Sequence, residues 1–263
     1  MVRLFAACVA VCLVVCSPCA AAPRLELQEG DHICILGGGV ADAMQHSGWL
    51  ETLLHSRFPG HRFVIRNLGY DGDEIDPGKR LRSADFGTPD QWLAGSAPIP
   101  NPGELKTKEF VRENRFELAD TRADVVFAFF GSNEAHAGPA GLDAFRQQVA
   151  TFVGHTLSQH YNGVSAPRLV MFTPIAHEDI GRAHWPDGKA HNANLALYAK
   201  AMEDVCGEKG VVCVDLFTPT SEAYAKHAEP LTSDGIHPNE RGDRVISEIS
   251  VTRFSAEFVP LIS

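Results

Sequence analysis

The sequence predicts an α/β fold of three layers, with helices on both faces of a five-stranded parallel sheet. Two observations predict it. Apolar runs of strand length alternate with longer stretches of helical period, the pattern of βαβ units. The runs are nearly continuous in Val, Ile, Leu and Phe rather than alternating with polar residues, as strands covered on both faces should be.

Taken in order, the strands are predicted at residues 32–36, 62–67, 123–130, 168–172 and 211–215. Residues 41–57 carry helical period and stop just before Pro59-Gly60, which cannot continue a helix. Further helices are predicted at 141–159, at 192–206 with Gly207 just past its end, and at 239–258. Residues 76–114 break the rhythm with segments such as Pro98-Ile99-Pro100-Asn101-Pro102-Gly103, and read as a long excursion after the second strand, either a functional loop or a surface insert.

The chain has 263 residues, 44% of them hydrophobic, enough for one sizeable core. No break in composition divides it. Its start, Met1-Val2-Arg3, precedes an apolar run from Leu4 to Cys16, then Ser17-Pro18 and the small residues Cys19-Ala20-Ala21-Ala22. This predicts a secretory signal over 1–22, leaving a mature domain of 23–263 that is secreted or periplasmic and has no integral membrane span. An uncleaved anchor is the alternative, weakened by the Ser-Pro break. A lipoprotein reading through Leu13-Val14-Val15-Cys16 is weaker, because Val15 is not small. The formal charge is −10, and a chain cleaved after residue 22 would lose only Arg3, keeping 22 basic against 33 acidic residues, or −11. That balance disfavours nucleic acid and anionic membrane surfaces, so no nucleic-acid partner is predicted.

Of seven cysteines, Cys34, Cys206 and Cys213 lie beyond the signal. Cys206 and Cys213 read either as a small disulfide loop or, with Cys34, as buried thiols. Beyond the signal neither a CxxC pair nor a Cys/His cluster occurs, so no metal and no cofactor are predicted. His177, His184 and His191 recur at intervals of seven after the fourth strand and read as solvated loop histidines.

In open parallel sheets, sites form beyond the carboxyl ends of the strands. Four stretches fall there. Gly37-Gly38-Gly39-Val40 follows the first strand and opens a helix, where glycines permit a turn with positive φ and bare N–H groups form an anion site. A dinucleotide fingerprint fails at this place, because its third glycine would be Asp42 and the second strand ends at Asn67 without an acidic residue. Asn67-Leu68-Gly69-Tyr70-Asp71-Gly72-Asp73 follows the second strand, and Gly131-Ser132-Asn133-Glu134 the third. Asp234-Gly235-Ile236-His237-Pro238-Asn239 precedes the last helix, and its Asp-x-x-His spacing lets the carboxylate hold one imidazole nitrogen while the other faces the cleft.

In this order the four stretches resemble blocks I, II, III and V of the SGNH (GDSL-type) ester hydrolases, over essentially the whole mature chain. The resemblance implies the flavodoxin-like SGNH fold and a small-molecule or glycan ester as substrate. It assigns His237 as general base, Asp234 as its orienting partner, and Gly39 (N–H), Gly72 (N–H) and Asn133 as oxyanion donors. The family's Gly-Asp-Ser of block I reads here as Gly37-Gly38-Gly39, so glycine replaces both the aspartate and the serine nucleophile. Glu134 stands where Asp is common. Neither Ser132 nor Ser47 makes a convincing substitute nucleophile, and no Gly-x-Ser-x-Gly elbow occurs.

Two readings follow. One is a hydrolase of acyl or acetyl esters, possible with carbohydrate substrates, in which His237 activates a water in the space the serine would fill and the oxyanion donors remain. The other is a catalytically silent secreted binding module, a pseudoenzyme whose oxyanion pocket holds an acyl, carboxylate or glycan ligand.

Overall fold

The computed structural model describes residues 24–76 and 118–254. The signal over 1–22, residues 77–114 of the excursion and the end of the helix predicted to 258 lie outside them.

Five parallel strands form one sheet: β1 (His32–Gly37), β2 (Val64–Asn67), β3 (Val125–Phe129), β4 (Arg168–Phe172) and β5 (Val212–Val214), in the spatial order β2-β1-β3-β4-β5. The strands match the predicted runs to within two residues. Alternate residues of each strand face opposite layers. Ile33, Ile35, Val125, Phe127, Phe129, Val170 and Phe172 pack with Val40, Met44, Leu50, Leu54, Ile246 and Val251, which belong to helices α1 (Gly39–Ser47), α2 (Trp49–Arg57) and α6 (Glu240–Phe254). Cys34, Leu36, Val126, Ala128 and Met171 pack on the other face against Phe145, Val149, Phe152, Leu195, Tyr198 and Met202 of α3 (Leu142–Leu157) and α4 (Lys189–Lys209). The remaining helix, α5 (Phe217–Lys226), follows β5.

Three expectations are corrected. The helix predicted over 41–57 is two helices, α1 and α2, because Gly48 adopts φ 66 and turns the chain between them. Helix α4 runs past Gly207 and is closed by Gly210 at φ 67. The sequence pattern also missed α5, whose one fully buried residue is the polar Thr220, with Phe217 partly buried against the core.

The order β2-β1-β3 means that the chain crosses from one side of β1 to the other, and the loops after β1 and β3 diverge at that point. This opens the crevice that holds the candidate site. The three cysteines among the described residues are free thiols, with Cys206 and Cys213 in hydrogen-bond contact with each other. No helix among the described residues is long and apolar enough to cross a membrane.

Candidate active site

The first loop is fixed by one tight contact. Gly37 has φ 133, and a Cβ there would sit 2.0 Å from the carbonyl oxygen of Phe129, so the approach of β1 to β3 demands glycine. Gly38 donates its N–H to the same carbonyl at 3.1 Å. The positive φ expected of this glycine run occurs at Gly37 alone: Gly38 has φ −83, and Gly39 opens α1 outside the left-handed region. The first N–H groups of a helix lack partners within it, which leaves the N–H of Gly39 available to an anion.

The loop after β2 is pinned to α1. Asn67 donates through Nδ2 to the Ala41 carbonyl and accepts the Gly69 N–H, both at 2.8 Å, while Gly69 packs so closely on Ala41 that a Cβ would lie 2.6 Å from its carbonyl carbon. Tyr70 then donates to the Gly37 carbonyl at 2.9 Å, and a turn with Gly72 at φ 82 returns the Asp73 N–H to the Tyr70 carbonyl. This turn places Asp71 and Gly72 beside the start of α1.

Glu134 ties that loop to the next. Its carboxylate accepts the Gly131 N–H at 2.9 Å and the Ile75 N–H at 2.6 Å, and Asn133 donates to the Asp73 carbonyl at 3.0 Å. Burial pushes the Glu134 carboxyl up to about 7, against the lowering effect of those backbone donors. Asn133, Ser132, Gly38, Gly39 and Asp73 line one cleft, floored by Phe129 and Phe130.

His237 enters from the turn ahead of α6. Asp234 accepts from the backbone N–H groups of Ile236 (3.0 Å) and His237 (2.8 Å) through one oxygen, and the other lies 2.6 Å from His237 Nδ1. Burial opposes the charge of Asp234, but the hydrogen bonds from the His237 side chain and these N–H groups hold it below the usual carboxylate range. The second ring nitrogen, Nε2, faces Asp71 Oδ1 at 3.3 Å. Burial alone would lower His237, but the bond to Asp234 and the charges of Asp234 and Asp71 raise it above the ordinary value of 6.5. A Cβ built on Gly39 would lie 3.4 Å from Nε2 and 3.0 Å from Asp71 Oδ1. The structure thus brings Gly39, Asn133, Asp234 and His237 to one crevice, with Gly72 on the turn between Asp71, which faces His237, and Asp73, which lines the cleft. Ser47, by contrast, donates to Asp243 on α6.

Two residues of this arrangement escaped the sequence. Asp71 lies in the stretch after the second strand, where its residue type alone signals no role. Glu178, in the loop after β4, is buried and accepts from the N–H groups of Leu231 (3.0 Å) and Thr232 (2.7 Å) and from the Thr232 hydroxyl (2.5 Å). Its own N–H reaches the Gly235 carbonyl at 2.8 Å, so it clamps the turn that carries His237. Glu178→Gln should lose about 2 kcal/mol, because one side-chain oxygen becomes an amine that faces donors, and a thermal melt should fall by several degrees. The turn's loosening should lower kcat more than it raises KM.

The histidines spaced by seven behave differently from one another. His177 and His191 meet, Nδ1 to Nδ1 at 3.1 Å, and His136 stacks on His191 with ring centres 4.4 Å apart. His184 sits at φ 69 and is exposed. Among the described residues no group of three or more His, Cys, Asp or Glu side chains is arranged to hold a metal ion.

The profile of the GDSL-like Lipase/Acylhydrolase family matches residues 30–245. Among solved structures, Axe2, an acetylxylan esterase from Geobacillus stearothermophilus, aligns over 90% of this chain and 100% of its own with 14% identity and a TM-score of 0.60. LAE5, an alpha/beta hydrolase enzyme from the metagenome of Lake Arreo, Spain, aligns over 86% and 95% with 18% identity and a TM-score of 0.56. None of the curated proteins compared with the chain matches it. With its five-stranded parallel sheet and a family match spanning most of its length, the chain belongs to the GDSL-like lipase/acylhydrolase family, the SGNH hydrolases.

Proposed function

We propose that this protein hydrolyses an acyl or acetyl ester of a small molecule or carbohydrate, with water in place of the serine that the family uses. The family supports ester hydrolysis in general. The observation that carries the finer reading is the position of Gly39: a side chain there would point at His237 Nε2 from 3.4 Å, and glycine leaves that space to solvent. The N–H of Gly39, the N–H of Gly72 and the Asn133 amide supply donors for the charge that develops on the acyl oxygen. The Asp234–His237 pair moves the proton. Tyr70 and Ile236, both exposed and next in sequence to Asp71 and His237, offer apolar surface to an acyl chain or a sugar ring. Export through the leading 22 residues belongs to the same reading.

The test is a panel of short-acyl aryl esters and acetylated xylooligosaccharides, the latter chosen because Axe2 is an acetylxylan esterase. We expect slow turnover with no covalent labelling by a fluorophosphonate, since glycine holds position 39 and none of the described serines is hydrogen-bonded to His237. Absence of turnover on every ester, joined to measurable binding of acetate or an acetylated sugar, would put the binding module in its place.

A further inference from the structure

Within that reading of ester hydrolysis, on which this step rests, we infer that Asp71 is the general base of the site and that His237 works opposite it as the general acid. Asp71 Oδ1 lies 3.3 Å from His237 Nε2 and 3.0 Å from the point where a Cβ at position 39 would be, so this carboxylate sits against the space a serine hydroxyl would occupy. It is held there by a built turn, since Tyr70 donates to the Gly37 carbonyl and Asp73 closes back on Tyr70, while its own side chain is 60% exposed and open to water and substrate. Asp71 also directly precedes Gly72. An acyl oxygen directed at the N–H groups of Gly39 and Gly72 therefore brings the acyl carbon next to Asp71.

The imidazole has a carboxylate on each nitrogen, Asp234 on Nδ1 at 2.6 Å and Asp71 on Nε2 at 3.3 Å. A neutral ring would turn a lone pair toward one of them, whereas the protonated ring donates to both. In that form His237 has a proton to give and none to take. Asp71 can accept one.

The steps balance with water as the only co-reactant. Water attacks the acyl carbon, and its proton passes to Asp71 as the carbonyl π pair moves onto the oxygen. The tetrahedral intermediate collapses, the bond to the alkoxyl oxygen breaks, and that oxygen takes the Nε2 proton of His237. Asp71 then returns its proton to Nε2, and the site has consumed one water and released an acid and an alcohol. No bond to the protein forms.

Among the described residues, the charged and titratable groups facing His237 are Asp234 on its own turn and Asp71 from the loop after β2; His177 packs on Gly235 from the loop after β4, behind which Glu178 is engaged with backbone. The test measures kcat/KM of a short-acyl ester against pH for the wild type, Asp71→Asn and His237→Ala. Wild-type turnover should fall as pH rises through the titration of His237, above 6.5, because the acid is lost. A base at His237 would give the opposite slope. Asp71→Asn should lose at least about 100-fold in kcat with KM little changed. Separately, the His237 ring followed by NMR should titrate at lower pH in Asp71→Asn than in the wild type. An Asp71→Asn protein as fast as the wild type or faster, with His237→Ala inactive, overturns this assignment and makes Asp71 an obstruction while ester hydrolysis stands. Rising wild-type turnover, or an unmoved His237 titration, overturns it too. A wild type with no esterase activity overturns the hydrolase reading itself.

Discussion

A serine at position 39 is expected to turn the site to covalent catalysis: Gly39→Ser should be labelled by a fluorophosphonate and should hydrolyse short-acyl esters on the order of 100-fold faster than the wild type. Its backbone lies outside the left-handed region, so serine enters at the first position of α1 without dihedral strain. Its Cβ would meet Asp71 Oδ1 at 3.0 Å and His237 Cδ2 at 3.1 Å. Both are side-chain atoms, and Asp71 is exposed enough to swing away, leaving Nε2 to the new hydroxyl. Restoring aspartate at position 38 as well is a harder fit, because a Cβ there lies 3.1 Å from the Asp73 carbonyl oxygen, which is backbone. The single variant is therefore the cleaner measurement. A normally folded Gly39→Ser protein with neither labelling nor added turnover would mean that the crevice has diverged by more than one oxygen atom, and would favour the binding module.

The second large effect belongs to the Asp234–His237 pair. His237→Ala should lower any ester turnover by about 10²- to 10⁴-fold, and Asp234→Asn should come close to it. The asparagine oxygen can still accept the N–H groups of Ile236 and His237, but its amine then faces the Nδ1–H that Asp234 accepts at 2.6 Å. Donor against donor turns the ring or its tautomer. Melting temperatures within a few degrees of the wild type, measured on the same preparations, would tie the loss to chemistry. Turnover unchanged in His237→Ala would remove the imidazole from the reaction.

The sheet was legible because a strand buried on both faces writes a continuous apolar run, and such runs end where the chain reaches solvent. Helix limits were less so. Gly48 breaks α1 from α2 by its conformation alone, with open space around it, whereas Gly207, a helix-ending residue by type, is carried inside α4. The loops around the crevice were legible in the same way as the strands, since each follows a strand end. Asp71 and Glu178 were not, because what gives them meaning is distant in the chain: Asp71 meets a histidine 166 residues away, and Glu178 meets N–H groups 53 and 54 residues away. A carboxylate immediately ahead of Gly72, the glycine proposed as an oxyanion donor, is the one available signal for Asp71.

Glu134 makes the folding of this chain a proton-binding reaction. Its carboxyl, free at about 4.5 when exposed, titrates at about 7 in the folded protein, so between those values the native chain holds a proton that the unfolded chain has released. The stability this adds is fully present below 4.5 and is lost as pH rises through 7. Above that, the carboxylate that joins the loops after β2 and β3 is an anion kept from water, and its contribution to stability is at its lowest.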